Sequence, residues 1–415
     1  MRNDGHRTNG SRIGDGRIGG RGLRLALAAA VVLGAGLGVF SNTTAAFAGT
    51  SWRVVTAPSP NPSRVVGLNG VSCGKSRSCF AVGFTAGGPH VPVPTTTLIE
   101  SWNGSSWSIV PSPNADPNGF DSLDGVSCTK ATFCVAVGTN NSDVQKTLVE
   151  SWNGSVWSIV ASPNISPTVD NGLNAVSCTK PTFCVAVGSF GSSPSQTPQT
   201  LVELWNGSVW SIVPSPNALP SQSTMLSGVS CTGPTFCEAV GDYRSGGDIP
   251  GIPQTLIESW NGSTWSIVAS PNTSSTLSNS LAGVSCVNPT ACFAVGSGAD
   301  STVVQTLIER WNGAVWSIVP SPNTSAAISN GIGGVSCNKT TACVAVGASD
   351  HTLIETWNGA TWSIVSSTAD GSAVGGSLAG VSCKRTPVCT AVGATDQVPD
   401  SQPLIEMNAR TSTPR

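Results

Sequence analysis

The chain has 415 residues, of which 10% are charged, and a formal net charge of −2. Such a dilute, slightly acidic balance without basic clusters argues against nucleic acid and anionic lipid as partners. Fourteen cysteines are too many and too regularly placed to be incidental.

Residues 1–48 carry Arg2, Arg7, Arg12, Arg17, Arg21 and Arg24, then an uncharged apolar stretch from Leu25 to Phe40, then Ala46-Phe47-Ala48 before Gly49. This is the pattern of a secretory signal peptide with a small-x-small cleavage site. The apolar stretch is short for a membrane span, so no stable membrane insertion is expected once it is cleaved. The absence of a twin arginine and of a cysteine at the cleavage site argues against folded export and lipoprotein anchoring. Six of the 20 basic and two of the 22 acidic residues fall in this segment, which leaves 14 basic against 20 acidic. The expected location is extracellular or cell-wall associated.

Residues 49–410 are one unit written seven times at a period of 46 to 55 residues, and self-similarity on that scale decides the architecture. First comes a lone apolar run, Trp52 to Val55. Each unit then opens with Gly-Val-Ser-Cys, as at Gly70 to Cys73 and Gly334 to Cys337, with Ala175 to Cys178 as its one variant. A second cysteine follows after five residues and starts Cys-x-Ala-Val-Gly, as at Cys134 to Gly138. A loop leads to Thr-Leu-Ile/Val-Glu, as at Thr147 to Glu150, and then to Trp-Asn-Gly-x-x-Trp-Ser-Ile-Val, as at Trp102 to Val110. The last unit stops at Pro403 to Asn408, and 411–415 form a short tail.

Each of the four segments is short, rich in Val, Ile, Trp and Cys, and alternates apolar with small or polar residues, as half-buried β-strands do. Asn-Gly between the third and fourth, as at Asn103-Gly104, marks a tight turn with positive φ. The missing fourth strand of the last unit is supplied by Trp52 to Val55, so the pattern predicts an all-β, closed seven-bladed β-propeller of four-stranded antiparallel blades. A transmembrane barrel would need strands of roughly 9 to 11 residues, and the repeated motifs run to about half that. A string of independent domains is disfavoured because about 50 residues in one sheet cannot bury both faces.

The cysteines form seven C-x5-C pairs: Cys73 with Cys79, Cys128 with Cys134, Cys178 with Cys184, Cys231 with Cys237, Cys286 with Cys292, Cys337 with Cys343, and Cys383 with Cys389. In an exported chain these read as seven local disulfides between the first and second strands. Two thiolates per blade and no repeated histidine leave zinc without a ligand set, and no calcium-loop spacing is present. No metal and no cofactor are expected.

Segment order and the Gly-x-x-Trp turn, as at Gly104 to Trp107, resemble the Asp-box propellers. The chain looks closest to the photosystem II assembly-factor type and to cysteine-bearing secreted bacterial propeller repeats, over nearly all of residues 51–408. The resemblance implies a propeller whose Gly-x-x-Trp turns are structural. Trp102-Asn103 stands where that pattern has its Ser and Asp. A sialidase of this class would be expected to carry an arginine cluster and a tyrosine nucleophile; Tyr243 is the sole tyrosine, beside Arg244.

Every connection is constant in length except that between strands two and three, which runs from four residues (Ala348 to His351) to thirteen (Phe84 to Thr96, and Asp242 to Gln254). In a blade that loop shares a face with the crossover to the next blade. Binding residues concentrate on loops of a rigid scaffold, so the ligand-binding candidates are Phe84, His90, Phe190, Asp242, Tyr243, Arg244, Asp248, Asp300, Asp350 and His351. The seven glutamates that end strand three (Glu100, Glu150, Glu203, Glu258, Glu309, Glu355, Glu406) read as hydrogen-bonded structural groups, and the paired tryptophans as inter-blade core rather than sugar platforms. No catalytic residue is assigned. The expectation is a secreted, monomeric, non-catalytic propeller that binds a protein or glycan through the variable-loop face; the alternative is a secreted glycoside hydrolase or lyase acting on polysaccharide.

Overall fold

The computed structural model describes residues 50–410 apart from 75–77, 88–93, 142, 192–196, 220, 246–250, 301–302, 368–374, 386–387 and 397–399. The expected signal peptide, the tail 411–415, His90 and Asp248 lie outside the described residues. The chain forms seven four-stranded antiparallel sheets, six of them with their strands in sequence order and the seventh completed by the N-terminal strand. Blade one is β2 (Arg64–Cys73), β3 (Cys79–Gly87), β4 (Thr96–Trp102) and β5 (Trp107–Val110). Blades two and three hold β6 to β9 within residues 120–159 and β10 to β13 within 171–212. Blade four is β14 (Thr224–Gly233), β15 (Phe236–Ser245), β16 (Ile252–Trp260) and β17 (Trp265–Val268); blade five is β18 (Asn279–Asn288), β19 (Ala291–Asp300), β20 (Val303–Trp311) and β21 (Trp316–Ile318). Blade six holds β22 to β25 within residues 331–364.

Blade seven joins β26 (Gly376–Arg385), β27 (Val388–Thr395) and β28 (Pro403–Arg410) to the N-terminal β1 (Thr50–Val55), which pairs antiparallel with β28. Trp52 is 1% exposed and sits in the cluster between blades six and seven with Val344, Val346, Ile354, Leu378 and Leu404. It occupies the place that the second tryptophan takes in the other blades. Closure by the N-terminal strand therefore stands as the repeat count implies.

Alternation along the strands decides which blade each residue meets. In blade one, Phe80, Val82 and Ile99 pack on Leu123, Ala136, Leu148 and Trp157 of blade two. Ala81 and Leu98 point the other way, onto Val392 and Ile405 of blade seven. Each sheet is thus buried on both faces only because it has two neighbours, which is why no blade stands alone. The glycine of Ala-Val-Gly permits the close pairing of strands one and two: a Cβ on Gly83 would lie 1.9 Å from the Gly67 carbonyl oxygen. In the Asn-Gly turns the glycines take φ between 96 and 104°, and Asn103 Oδ1 accepts from the backbone N–H groups of Ser105 and Ser106 at 2.9 and 3.0 Å.

The Gly-Val-Ser-Cys segment has a role that its strand pattern does not announce. Each serine hydroxyl accepts a hydrogen bond from the cysteine N–H of the following blade: Ser72 from Cys128, Ser127 from Cys178, Ser177 from Cys231, Ser230 from Cys286, Ser285 from Cys337, and Ser336 from Cys383, all at 2.9 to 3.0 Å. Ser382 accepts from Cys73 at 3.0 Å, and the ring closes on itself.

One expectation needs correction. The inner strands are not half of barrel length: β2 has 10 residues and the first strand of blade two has 11, because pairing continues past a bulge between Leu68 and Gly70 and its equivalents. What separates this fold from a barrel is seven discrete sheets, not strand length. The cysteines pair as their spacing implies, strand one to strand two in every blade, with Cα atoms 3.9 to 4.3 Å apart over the seven pairs. In blades one to six they face each other as register partners within the hairpin, as Cys128 and Cys134 do. All fourteen cysteines are in these disulfides.

Candidate functional site

The repeated glutamates are 0% exposed, one in each blade. In six blades a serine of the preceding crossover reaches across and donates to the carboxyl: Ser112 to Glu150, Ser162 to Glu203, Ser215 to Glu258, Ser270 to Glu309 and Ser321 to Glu355 at 2.6 to 3.1 Å, and Ser367 to Glu406. Burial pushes Glu100, Glu150, Glu258 and Glu309 up to about 8 and Glu203 and Glu355 to about 7. The serine hydrogen bonds pull the five bonded groups among these the other way. Burial thus favours the neutral form of these carboxyls, each of which lies in its own seam, and no two share a cleft as a hydrolytic pair must.

Blade one departs from the pattern. Ser59 Oγ and both Glu100 carboxyl oxygens are buried without a hydrogen-bond partner. At four seams the bridging serine also meets a threonine of its own side, Ser112 with Thr97, Ser215 with Thr200, Ser270 with Thr255 and Ser321 with Thr306, at 2.8 to 3.0 Å. Blade seven has Pro403 at that position, so no threonine hydroxyl is there for Ser59.

The tryptophans are likewise structural. The second of each pair is buried, at 5 to 7% exposure for Trp107, Trp157, Trp210, Trp265, Trp316 and Trp362. The first stacks on it with ring centroids 5.6 to 5.8 Å apart. In five blades the first indole N–H also donates to a carbonyl in the turn closed by its own blade's disulfide, such as Trp152 to Ala131 at 3.0 Å.

The variable segments are less loop-like than their lengths suggest. The ladder of blade four runs on through Asp242↔Thr255, Tyr243↔Gln254, Arg244↔Pro253 and Ser245↔Ile252, and Asp300 pairs with Val303 in blade five. Most candidates are therefore strand residues held at the ends of hairpins. Phe84 is half-buried, with its ring against Gly67. Phe190 packs beside the blade-three cluster. Asp350 and His351 are exposed in a turn fixed by the Ser349 N–H donating to the His351 carbonyl at 2.8 Å.

The structure brings together Asp242 and Arg244. Val240 on β15 packs on Leu281, Val284 and Trp316 of blade five, and two-residue alternation places Asp242 and Arg244 on that same side. Both line a cleft of about 230 Å³ between blades four and five, with Ser223, Met225, Pro253, Ser278, Ser280, Ser297, Ala299 and Val304. Tyr243 points the other way, onto the blade-three side. Burial raises the Asp242 carboxyl above the ordinary aspartate range while the Arg244 charge opposes it. Arg244 donates to the Gly251 carbonyl at 3.3 Å, and the Ser280 and Ser297 hydroxyls meet at 3.4 Å.

The cleft serines escaped the sequence reading because serine is common throughout the repeat. A position-by-position comparison of the blades marks Asp242, already a candidate, and would also have found Glu238: Asp242 stands where other blades carry Phe84, Thr139, Ser189, Ser297, Ala348 or Ala394. Glu238 stands where they carry Phe80, Val135, Val185, Phe293, Val344 or Thr390. Glu238 is 0% exposed, accepts from Ser259 at 3.0 Å and is pushed up to about 7 by burial. Among the described residues no cluster of three or more His, Cys, Asp or Glu is arranged to hold a metal ion.

Solved propellers share this fold. The photosystem II assembly factor YCF48 from Cyanidioschyzon merolae aligns with a TM-score of 0.53 at 13% identity, covering 86% of this chain and 98% of that one. YCF48 bound to D1 peptide aligns at 0.51 and 11%, covering 86% and 96%, and the WD40 propeller domain of Doa1 at 0.51 and 10%, covering 87% and 98%. At these identities the likeness is one of architecture. No protein-family model matches the chain, and no curated protein matches it by sequence.

Proposed function

We propose that this protein is a secreted, non-catalytic recognition propeller that binds a protein or glycan partner through the face carrying the variable connections between strands two and three. The observation that carries the reading is the cleft between blades four and five, where Asp242 and Arg244 stand together on a rigid wall at the variable end of the hairpins. A rigid scaffold with local side-chain variation is how repeat folds achieve recognition without chemistry. YCF48, which has been solved with a bound peptide, is a propeller of the same architecture. Export is supported by the signal-like pattern of residues 1–48 and by seven disulfides, which persist in oxidising compartments.

The test is capture of the purified protein on a panel of cell-wall polymers, glycans and extracellular proteins. Two surface variants are run beside it. One carries Asp242→Ala, Asp350→Ala and His351→Ala on the variable face; the other carries Ser105→Arg, Ser155→Arg and Ser208→Arg in the exposed turns opposite. Binding lost in the first and kept in the second supports the reading. Binding lost only in the second places recognition on the wrong face and refutes it.

A further inference from the structure

Resting on the recognition reading above, we infer that the cleft between blades four and five binds a single neutral sugar residue, with the Asp242 carboxylate accepting hydrogen bonds from its hydroxyl groups. Three properties of the cleft select that chemistry.

The first is its charge and hydrogen-bond inventory. Among the described residues one carboxylate and one guanidinium line it, and their charges offset each other. Asp242 is half-buried, and among the described residues its carboxylate accepts no hydrogen bond. A desolvated acceptor without a donor is costly to leave and gains most from a ligand rich in O–H groups. The hydroxyls of Ser223, Ser278, Ser280 and Ser297 can each donate or accept, which matches a polyol that must do both.

The second is backbone saturation. β15 is hydrogen-bonded on both sides, to β14 and β16, and β19 to β18 and β20. A peptide binding by strand addition needs an unpaired edge, and the two strands that carry Asp242, Arg244, Ser297 and Ala299 present none, whereas β14 and β18, which carry Met225 and Ser280, are each paired on one side only. Recognition beside Asp242 therefore has to come from side chains.

The third is size and surface. At about 230 Å³ the cleft lies below the range of roughly 300 to 1,000 Å³ typical of drug-sized ligands, which suits one ring rather than an extended chain. Met225, Pro253, Ala299 and Val304 supply an apolar wall for the C–H face of such a ring.

The experiment is saturation-transfer NMR and calorimetry of the full chain with a panel of methyl glycosides of hexoses, N-acetylhexosamines and pentoses. Wild type is compared with Asp242→Ala, Asp242→Asn and Ser280→Val, each first checked for an unchanged melting temperature. Binding of at least one neutral glycoside, weakened tenfold or more by Asp242→Ala and less by Asp242→Asn, is the expected result. No binding by any glycoside at millimolar concentration, or binding indifferent to Asp242→Ala, overturns the assignment. The capture experiment separates the two ideas. If a protein partner is retained through the variable face while no glycoside binds, the sugar assignment falls and the recognition function stands; if nothing depends on that face, both fall.

Discussion

Replacing Glu309 by glutamine tests the physical account of the seams. Glu309 is 0% exposed, its carboxyl accepts from Ser270 at 3.0 and 3.1 Å, and burial lifts it from 4.5 to about 8. A group whose folded value lies above its unfolded value binds more protons in the native state. Its contribution is therefore complete below pH 4.5, falls as pH rises toward about 8, and is constant above that. At about 1.4 kcal/mol per unit, the full shift corresponds to about 4 to 5 kcal/mol lost across that window. Glutamine keeps the shape, still accepts from Ser270, and cannot ionise. Urea unfolding of both proteins, with disulfides intact, should show the variant equal to or slightly less stable than wild type at pH 5 and more stable by some kcal/mol at pH 8.5. Parallel stability profiles across that range would refute the claim that Glu309 folds as a buried neutral acid.

Four further outcomes are expected. Ser382→Ala removes the acceptor for the Cys73 N–H at the closing seam and leaves a buried donor unmet, so chemical unfolding should report a loss of about 1 to 3 kcal/mol; an unchanged midpoint would mean the ring of bonds contributes nothing. Trp52→Ala empties a site that is 1% exposed and should cost about 3 to 5 kcal/mol, with hydrogen exchange rising first in β1 and β28; exchange that rises uniformly would contradict a local seam. Gly83→Ala drives a methyl to 1.9 Å from the Gly67 carbonyl oxygen and should prevent soluble folding, read as loss of the cooperative melt. Mass spectrometry of the exported protein without reductant should find no alkylatable thiol, and removal of one cysteine pair should cost about 2 kcal/mol.

How much was legible follows from what repeats. A period carrying Cys, Val, Trp and Asn-Gly at fixed offsets determined the strand count, the seven pairs of cysteines and the ring, since alternating apolar residues without helical periodicity can bury two faces only between neighbouring sheets. The lone run at Trp52 and the truncated last unit likewise determined closure. Tertiary structure alone decided what the seams contain. That Ser72 serves Cys128 and that Ser112 serves Glu150 are contacts between units, and a pattern within one unit does not say which residue of the next it will meet. The same limit hid the cleft. Asp242 and Arg244 are visible in sequence as departures of blade four, but Ser278, Ser280 and Ser297 belong to blade five, and only the packing of one blade on the next brings them into a single pocket.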